Sequence, residues 1–475
     1  MDANAPQAVT AVSAAPAAAR PTMDPRTKRL LESPILPILL RLALPNIAVM
    51  FVQAGTGLIE TYFIGQLGTD ALAGVSMVFP AVMLMQMMSA GAMGGGISSS
   101  IARALGAGRR NDANALVLHA LAISVVCGLA FTLALLAGGA WLYTAMGGSG
   151  ASLRAALTYS HVVFAGAVLI WVFNALANVL RGTGNMVVPA TVTCVGAVVL
   201  VPLSICLIFG WGPFPQLGVA GGGAALLLYY GIGLAVLAGY IWSGRGVLRP
   251  SLRTPLRWAL ARDILRVGAV ASLTTVQTNL TVAVTTGLIG SFGPAAIAGY
   301  GVGSRLEYLL VPLVFGLGGP LVALVGTSMG AGRHDRALRI AWTGGAIAAA
   351  MTEAVGLAAA IWPLSWLTLF DTDPQMLDAG VAYLRVVGPV YGLFGLGMAL
   401  YFASQGAGRL LWPLLAGFIR MLVAVIGGYV ALSTTGALSN VFYALAAGLV
   451  IFGVINAAAV IGGAWSARPS SGAGR

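Results

Sequence analysis

Stretches of about 20 apolar residues recur along nearly the whole chain of 475 residues. An apolar stretch of roughly this length can cross the hydrocarbon core of a bilayer as a single α-helix. Only 8% of the residues are charged and 59% are hydrophobic, which is too little charge to wet the surface of a soluble protein of this size. The sequence therefore predicts an all-α membrane protein without room for a separate soluble domain.

Twelve such stretches can be delimited, and we expect each to form a transmembrane helix. The predicted spans 1 to 12 cover about residues 36–64, 71–104, 114–140, 154–181, 187–210, 218–242, 264–291, 295–328, 337–361, 377–404, 410–432 and 438–463. Pro45 in span 1 and Pro80 in span 2 are candidate kinks, because proline lacks the amide hydrogen that a helix interior requires.

Most of the 25 basic residues lie at one end of the predicted bundle. They occupy the N-terminal tail, the loop between spans 2 and 3, and the connection between spans 6 and 7. Basic loops stay on the cytoplasmic side, so both termini are predicted to be cytoplasmic. The net charge of +12 then reflects the orientation of the protein in the membrane and does not indicate nucleic-acid binding. The expected location is a bacterial inner membrane.

The two halves of the chain resemble each other. The segment IGQLGTDALAG (64–74) is similar to IGSFGPAAIAG (289–299), and LGAGRRNDA (105–113) is similar to MGAGRHDRA (329–337). RGTGNMVVP (181–189) is similar to QGAGRLLWP (405–413), and all three offsets are about 224 residues. Because each half holds an even number of spans, the halves are predicted to be parallel repeats around a central cleft, with a binding site at their interface.

These observations divide the chain into five parts. We expect a disordered cytoplasmic tail over residues 1–34, a six-helix bundle over 35–242 and a cytoplasmic linker over 243–262. A second six-helix bundle is expected over 263–465, followed by a short tail over 466–475.

Glu60 is the most informative polar residue, because it lies within apolar span 1. A carboxylate at membrane depth is costly unless it is paired, protonated or in contact with water. Apolar surroundings disfavour its charged form, so the group can take up a proton and release it when the surroundings change. The sequence indicates that Glu60 binds a proton or cation; the simpler alternative is an acid at a helix end among lipid headgroups.

Three further charged residues lie in predicted spans of the second half. Glu307 and Arg305 in span 8 are two residues apart, so they face different directions and each needs its own partner. Glu307 is either a second site for the coupling cation or part of a structural ion pair. Arg420 in span 11 is expected to bind backbone carbonyls or a lipid phosphate, and Glu353 in span 9 to be paired or to reach the surface.

Several uncharged polar, aromatic and sulfur-containing residues are candidates for the substrate cleft. They are expected either to line the cleft or to bond and pack between helices, because amides are costly to leave unpaired in hydrocarbon, aromatic faces attract cations and thioethers adapt to varied shapes. These residues are Met83, Asn174, Asn178, Gln277, Asn279, Tyr300 and Phe394.

The chain resembles the multidrug and toxic compound extrusion (MATE) family over about residues 35–465. The resemblance rests on LALPNIAVMFVQAGTGLIETYFIGQLGTDALAGVS in the first two spans, the two G-A-G-R loops and the R-G-T-G-N turn after span 4. It implies two six-helix bundles around a cleft that opens alternately to either side, and a secondary antiporter that expels organic cations and other toxic compounds.

The resemblance also implies roles for particular residues. The family's pattern in the first span, a glutamine followed by an acidic residue and threonine, is matched here by Gln53, Glu60 and Thr61, so the proton or cation site falls on Glu60 with Gln53 nearby. Glutamate replaces the usual aspartate. Where sodium-coupled relatives carry acids in spans 7 and 10, this chain has Gln277 and Phe394, which favours proton over sodium coupling.

The predicted function is therefore efflux of small organic, often cationic, compounds in exchange for protons, with sodium ions as the alternative coupling ion. A flippase for a lipid-linked precursor is the alternative, although such proteins usually have two more helices and a strongly basic cavity. An intramembrane enzyme is disfavoured, since no catalytic, metal-binding or phosphate-loop motif is present. We expect no cofactor apart from the coupling ion, a monomer, and small organic molecules and membrane lipids as partners.

Overall fold

The computed structural model describes residues 23–251, 253–434 and 436–465, except the side chains of residues 308 and 309. Throughout these ranges the regular secondary structure is helical. The α-helices are α1 (Pro25–Glu32), α2 (Ile35–Gly65), α3 (Thr69–Gln86), α4 (Gly94–Gly106), α5 (Arg110–Ala145), α6 (Gly150–Ala165), α7 (Ala167–Gly182), α8 (Val187–Phe209), α9 (Val219–Trp242), α10 (Trp258–Gly290), α11 (Pro294–Ser304), α12 (Glu307–Gly330), α13 (His334–Ile361), α14 (Pro363–Leu367), α15 (Pro374–Val387), α16 (Tyr391–Ala407), α17 (Leu411–Thr434) and α18 (Leu438–Ile461).

These helices form twelve apolar spans within the described residues. Eleven are long and apolar enough to cross a bilayer as they stand, and α6 with α7, bent by 48° at Gly166, make up the twelfth. A Cβ atom at Gly166 would collide with Leu227 of α9, so the absence of a side chain lets the bend approach its neighbour. The predicted all-α fold of two six-helix halves is confirmed, and the chain is a multi-pass membrane protein.

Besides span 4, which bends at Gly166, three predicted spans are interrupted where the sequence suggested continuous helices. Span 2 contains a π-helical turn over Met87–Met93, span 8 breaks at Arg305 and Leu306, and span 10 contains a 3₁₀ turn over Gly388–Val390. The apolar pattern runs across each of these points, and hydropathy does not register a change in backbone hydrogen bonding.

Residues 25–32, which were expected to belong to a disordered tail, form helix α1. Its Leu30 and Leu31 are buried, and Arg333 and Arg336 donate hydrogen bonds to carbonyls of Leu31, Leu30 and Ser33. The expectation of disorder is therefore wrong for these residues, because α1 buries leucines against the second half. Residues 1–22 and 466–475, for which tails were predicted, lie outside the described residues.

The internal repeat is visible in how the helices pack. A Cβ at Gly74 of α3 would lie 2.7 Å from the backbone nitrogen of Ala156 in α6, and one at Gly299 of α11 would lie 2.7 Å from that of Gly380 in α15. Gly74 and Gly299 are corresponding residues of the first repeated segment. Each half thus uses the same glycine to bring the same pair of helices into backbone contact.

The two halves pack against each other at the end of the molecule that carries the two G-A-G-R loops, here called the arginine-rich end. Gly106 of α4 packs on the carbonyl of Thr327 in α12, and Gly330 of α12 packs on the carbonyl of Arg103 in α4. These two contacts correspond to each other in the repeat. Arg103 also donates a hydrogen bond of 3.0 Å to the Gly406 carbonyl. The structure is closed at this end.

Candidate functional site

Glu60 lies near the end of α2 opposite the arginine-rich end, and its side chain is half-buried. Its Oε1 accepts a hydrogen bond of 3.5 Å from Ser204, which is fully buried in α8. Tyr159 and Tyr229 lie close enough to interact electrostatically with this carboxylate. Glu60 therefore faces the interior of the first half, with hydroxyl groups as its described neighbours.

A polar network lies beside Glu60 in the same half. Gln86 donates to the hydroxyl of Tyr230, which also interacts electrostatically with Glu60. Asn174 donates to Gln86 Oε1 at 3.2 Å and to Ser89 Oγ at 2.8 Å. The network joins α7, α9 and the end of α3, so the amide of Asn174 binds between helices.

Asn178, one turn after Asn174, supports the π-helical turn. Its Nδ2 donates to the Ala90 carbonyl at 3.1 Å and to the Asn174 carbonyl at 2.9 Å. A π-helical turn shifts the backbone hydrogen-bond register, so side chains must often satisfy the carbonyls beside it. Asn178 thereby holds an irregular segment at membrane depth, where an unpaired carbonyl is costly.

Replacing Asn178 with alanine is expected to lower the melting temperature of the detergent-purified protein by a few degrees. The Ala90 carbonyl would lose its side-chain donor, at a cost of about 1–3 kcal/mol. Differential scanning fluorimetry measures the change. Asn279→Ala is the matched control, because that exposed amide bonds only to the Thr275 carbonyl of its own helix; equal shifts for both variants would contradict the assigned role.

A second carboxylate site lies in the C-terminal half. Glu307 starts α12, and its Oε1 accepts hydrogen bonds from the hydroxyls of Tyr383 at 2.9 Å and Tyr391 at 3.5 Å. Tyr383 corresponds in the repeat to Tyr159 beside Glu60. Tyr300 packs edge-on against Tyr383, with ring centroids 5.2 Å apart. Both halves thus place a carboxylate beside a tyrosine of the same repeat position.

Arg420 of α17 lies beside the Glu307 cluster. Its guanidinium is 5.3 Å from the ring centroid of Phe394 and 5.7 Å from that of Phe452. It interacts electrostatically with Glu307. Among the described residues no backbone carbonyl accepts a hydrogen bond from Arg420, and two aromatic rings contact its guanidinium instead. The expected carbonyl contact is therefore not found there, and the alternative, a lipid phosphate, stays a prediction.

The remaining candidates are scattered between the two halves. Gln277 bonds across to the Gly417 carbonyl of α17 at 2.8 Å, whereas Gln53 and Met83 have exposed side chains. Glu353 accepts a hydrogen bond of 2.7 Å from the Gly392 amide, at the start of α16 where an amide lacks a helical partner. Their roles in binding stay predictions.

Sequence reasoning missed several partners of the two carboxylates. Ser204 is 144 residues from Glu60, and a lone serine in an apolar span carries no distinguishing pattern. The tyrosine pair at 229 and 230 and the Gln86 network were also not singled out. The match of Tyr159 with Tyr383 in the repeat was the one signal available.

Comparison with known proteins gives consistent relationships. The MatE family model matches residues 45–206 and 271–430, one segment in each half. A FAD transporter of Shewanella oneidensis is 28% identical over 414 residues, covering 84% of this chain and 90% of that protein. A probable multidrug resistance protein NorM of Thermotoga maritima is 25% identical, covering 81% and 83%.

The fold is shared with solved structures. A crystal structure of a MATE transporter in the bent conformation superposes with a TM-score of 0.84 at 23% identity, covering 92% of this chain and 96% of that one. The predicted resemblance is thereby confirmed. With one family match in each six-helix half, the chain belongs to the MatE family and is a membrane transporter, not an enzyme.

Proposed function

We propose that this transporter expels small organic, often cationic, compounds from the cytoplasm across a bacterial inner membrane in exchange for protons. The observation that carries the proposal is Glu60, a half-buried carboxylate at membrane depth with the Ser204 hydroxyl as its hydrogen-bond partner. A proton and an organic cation compete for such a negative site. Competition of two ligands for one site is the simplest arrangement that can exchange one for the other across the membrane. The relatives named multidrug resistance proteins support efflux of drugs and toxic compounds.

The surroundings of Glu60 support a proton as the coupling ion. Sodium is normally held by several oxygen ligands, and the described contacts supply Glu60 with one hydroxyl hydrogen bond. A proton needs one oxygen and an environment that changes between states. Protonation of Glu60 would remove its attraction for a cation and favour the state that returns to the cytoplasm.

Two six-helix bundles, over residues 35–242 and 263–465, would move as units on either side of the linker 243–262. With the arginine-rich end cytoplasmic, as the positive-inside rule indicates, the structure represents the state closed to the cytoplasm. Glu60, near the opposite end of α2, would then receive protons from outside.

Transport by purified protein in liposomes tests the exchange. A cationic dye is expected to accumulate against its gradient when a proton gradient is imposed, because proton entry drives cation exit. A sodium gradient of equal size, at equal pH on both sides, is the matched control and should leave the dye at its passive rate. Transport under the sodium gradient alone would overturn proton coupling, and transport under neither would overturn the antiport itself.

The FAD transporter of Shewanella oneidensis suggests a second kind of cargo, an organic anion. The specific observation that favours it is Arg420, a basic residue held beside aromatic rings in the second half.

A further inference from the structure

Arg420 is half-buried, and two aromatic rings contact its guanidinium. The rings of Phe394 and Phe452 contact each other, with centroids 6.5 Å apart. Rings on opposite faces of a guanidinium, at the observed 5.3 and 5.7 Å, would be much farther apart. Both rings therefore lie on one side of Arg420.

The hydrogen-bond donors of Arg420 remain unused. A cation–π contact occupies the face of the guanidinium, whereas its five N–H groups point outward in the plane. Among the residues that the structure describes, none accepts a hydrogen bond from Arg420, and no carboxylate lies within 4.0 Å of it. A membrane-embedded arginine with unused donors is costly unless water or a ligand satisfies them.

Glu307 is the nearby carboxylate, but it forms no salt bridge with Arg420 among the described residues. Its Oε1 accepts hydrogen bonds from Tyr383 and Tyr391. Glu307 attracts Arg420 without forming a direct pair. The positive charge and the donor fork thus stay available beside an aromatic surface.

We propose that Arg420 is the binding site for an oxyanion, a carboxylate or a phosphate, carried on a planar aromatic cargo. The guanidinium fork matches two oxygens of such a group, and Phe394 and Phe452 supply an apolar surface for the ring. The inference rests on the proposed efflux function in taking the ligand to be cargo. The site lies on α16, α17 and α18 of the second half, apart from Glu60 in the first.

Fluorescence titration of the purified full-length protein tests the site with probes that differ in one charged group. Flavin mononucleotide and riboflavin share a ring and differ in a phosphate; coumarin-3-carboxylate and its neutral carboxamide differ in a carboxylate. Wild-type protein is expected to bind the anion of at least one pair about tenfold more tightly than its neutral partner. Preference within the flavin pair alone assigns a phosphate, preference within the coumarin pair alone assigns a carboxylate, and either supports the proposal.

Arg420→Gln is expected to remove this preference while leaving the affinity for the neutral probe unchanged. Arg420→Lys keeps the charge but not the fork, and should retain part of the preference. Glu307→Gln should strengthen anion binding severalfold, because it removes a competing negative charge and keeps an acceptor for the two phenols. Since damage to the fold does not tighten binding, this variant keeps the test independent of folding.

The matched control is Arg305→Gln, which removes an exposed arginine over Phe370 in the same half and should change nothing. Equal wild-type affinities within both probe pairs, or an equal loss of both members of a pair in Arg420→Gln, would overturn the site. Such a result together with intact proton-driven dye efflux would leave the proposed exchange standing. If the protein prefers the anionic probes but shows no efflux, the anion site at Arg420 stands and the proposed exchange is overturned.

Discussion

Glu60→Gln is expected to abolish proton-driven dye efflux, with a loss of about a hundredfold or more, in protein that still folds and inserts. Glutamine keeps the size of the side chain and an acceptor for Ser204, but it neither exchanges a proton nor attracts a cation. Coupling needs a group whose charge differs between the two states. Dye uptake into everted vesicles or liposomes under a proton gradient measures the effect.

Glu60→Asp should retain part of the activity, because the charge stays while the carboxylate moves by about one bond length. Asp70→Asn is the matched control, since Asp70 is an exposed acid just beyond the same end of the bundle and its loss should leave efflux intact. Efflux at the wild-type rate in Glu60→Gln protein would remove Glu60 from the mechanism.

Gly106→Val is expected to open the arginine-rich end and to stop transport. A side chain at Gly106 would collide with the Thr327 carbonyl of the other half, so the closed state becomes sterically inaccessible while each half keeps its own packing. Gly330→Val should act in the same way, because the repeat places Gly330 against the carbonyl of Arg103. A transporter confined to one state completes no cycle.

The reactivity of a cysteine placed at position 99 measures whether the arginine-rich end has opened. Ser99 is fully buried on α4, one turn before Arg103, and its backbone carbonyl lies beside Gly326 of α12 in the second half. With the native cysteines Cys127, Cys194 and Cys206 replaced by alanine, Ser99→Cys should react at least about tenfold faster with a polar maleimide when Gly106→Val is present.

Gly138→Val is the control for replacing a glycine inside a helix by valine without a steric collision, because a Cβ at Gly138 meets no atom within 4 Å. It should leave both the labelling rate and the efflux unchanged. If Gly106→Val protein labels and transports like the Gly138→Val control, the glycine contact does not govern closure.

The halves of this molecule were predictable because their signals repeat along the chain. The G-A-G-R segments contain Gly106 and Gly330 at corresponding positions, and the structure shows each glycine against the opposite half. Asn174 and Asn178 were recognised as costly to bury, but not as supports of a π-helical turn. Such a turn leaves hydropathy unchanged, so no apolar pattern reveals it.

The sequence alone determined the all-helical fold, the twelve spans, the twofold repeat and the presence of a carboxylate within span 1, because these depend on residue types and spacing along one dimension. The tertiary structure decided which groups meet: Ser204 with Glu60, two tyrosines with Glu307, and Arg420 with Phe394 and Phe452. It also decided which end is closed. Those facts depend on the rotation and depth of helices packed side by side, and apolar helices of similar hydropathy can pack in many such arrangements.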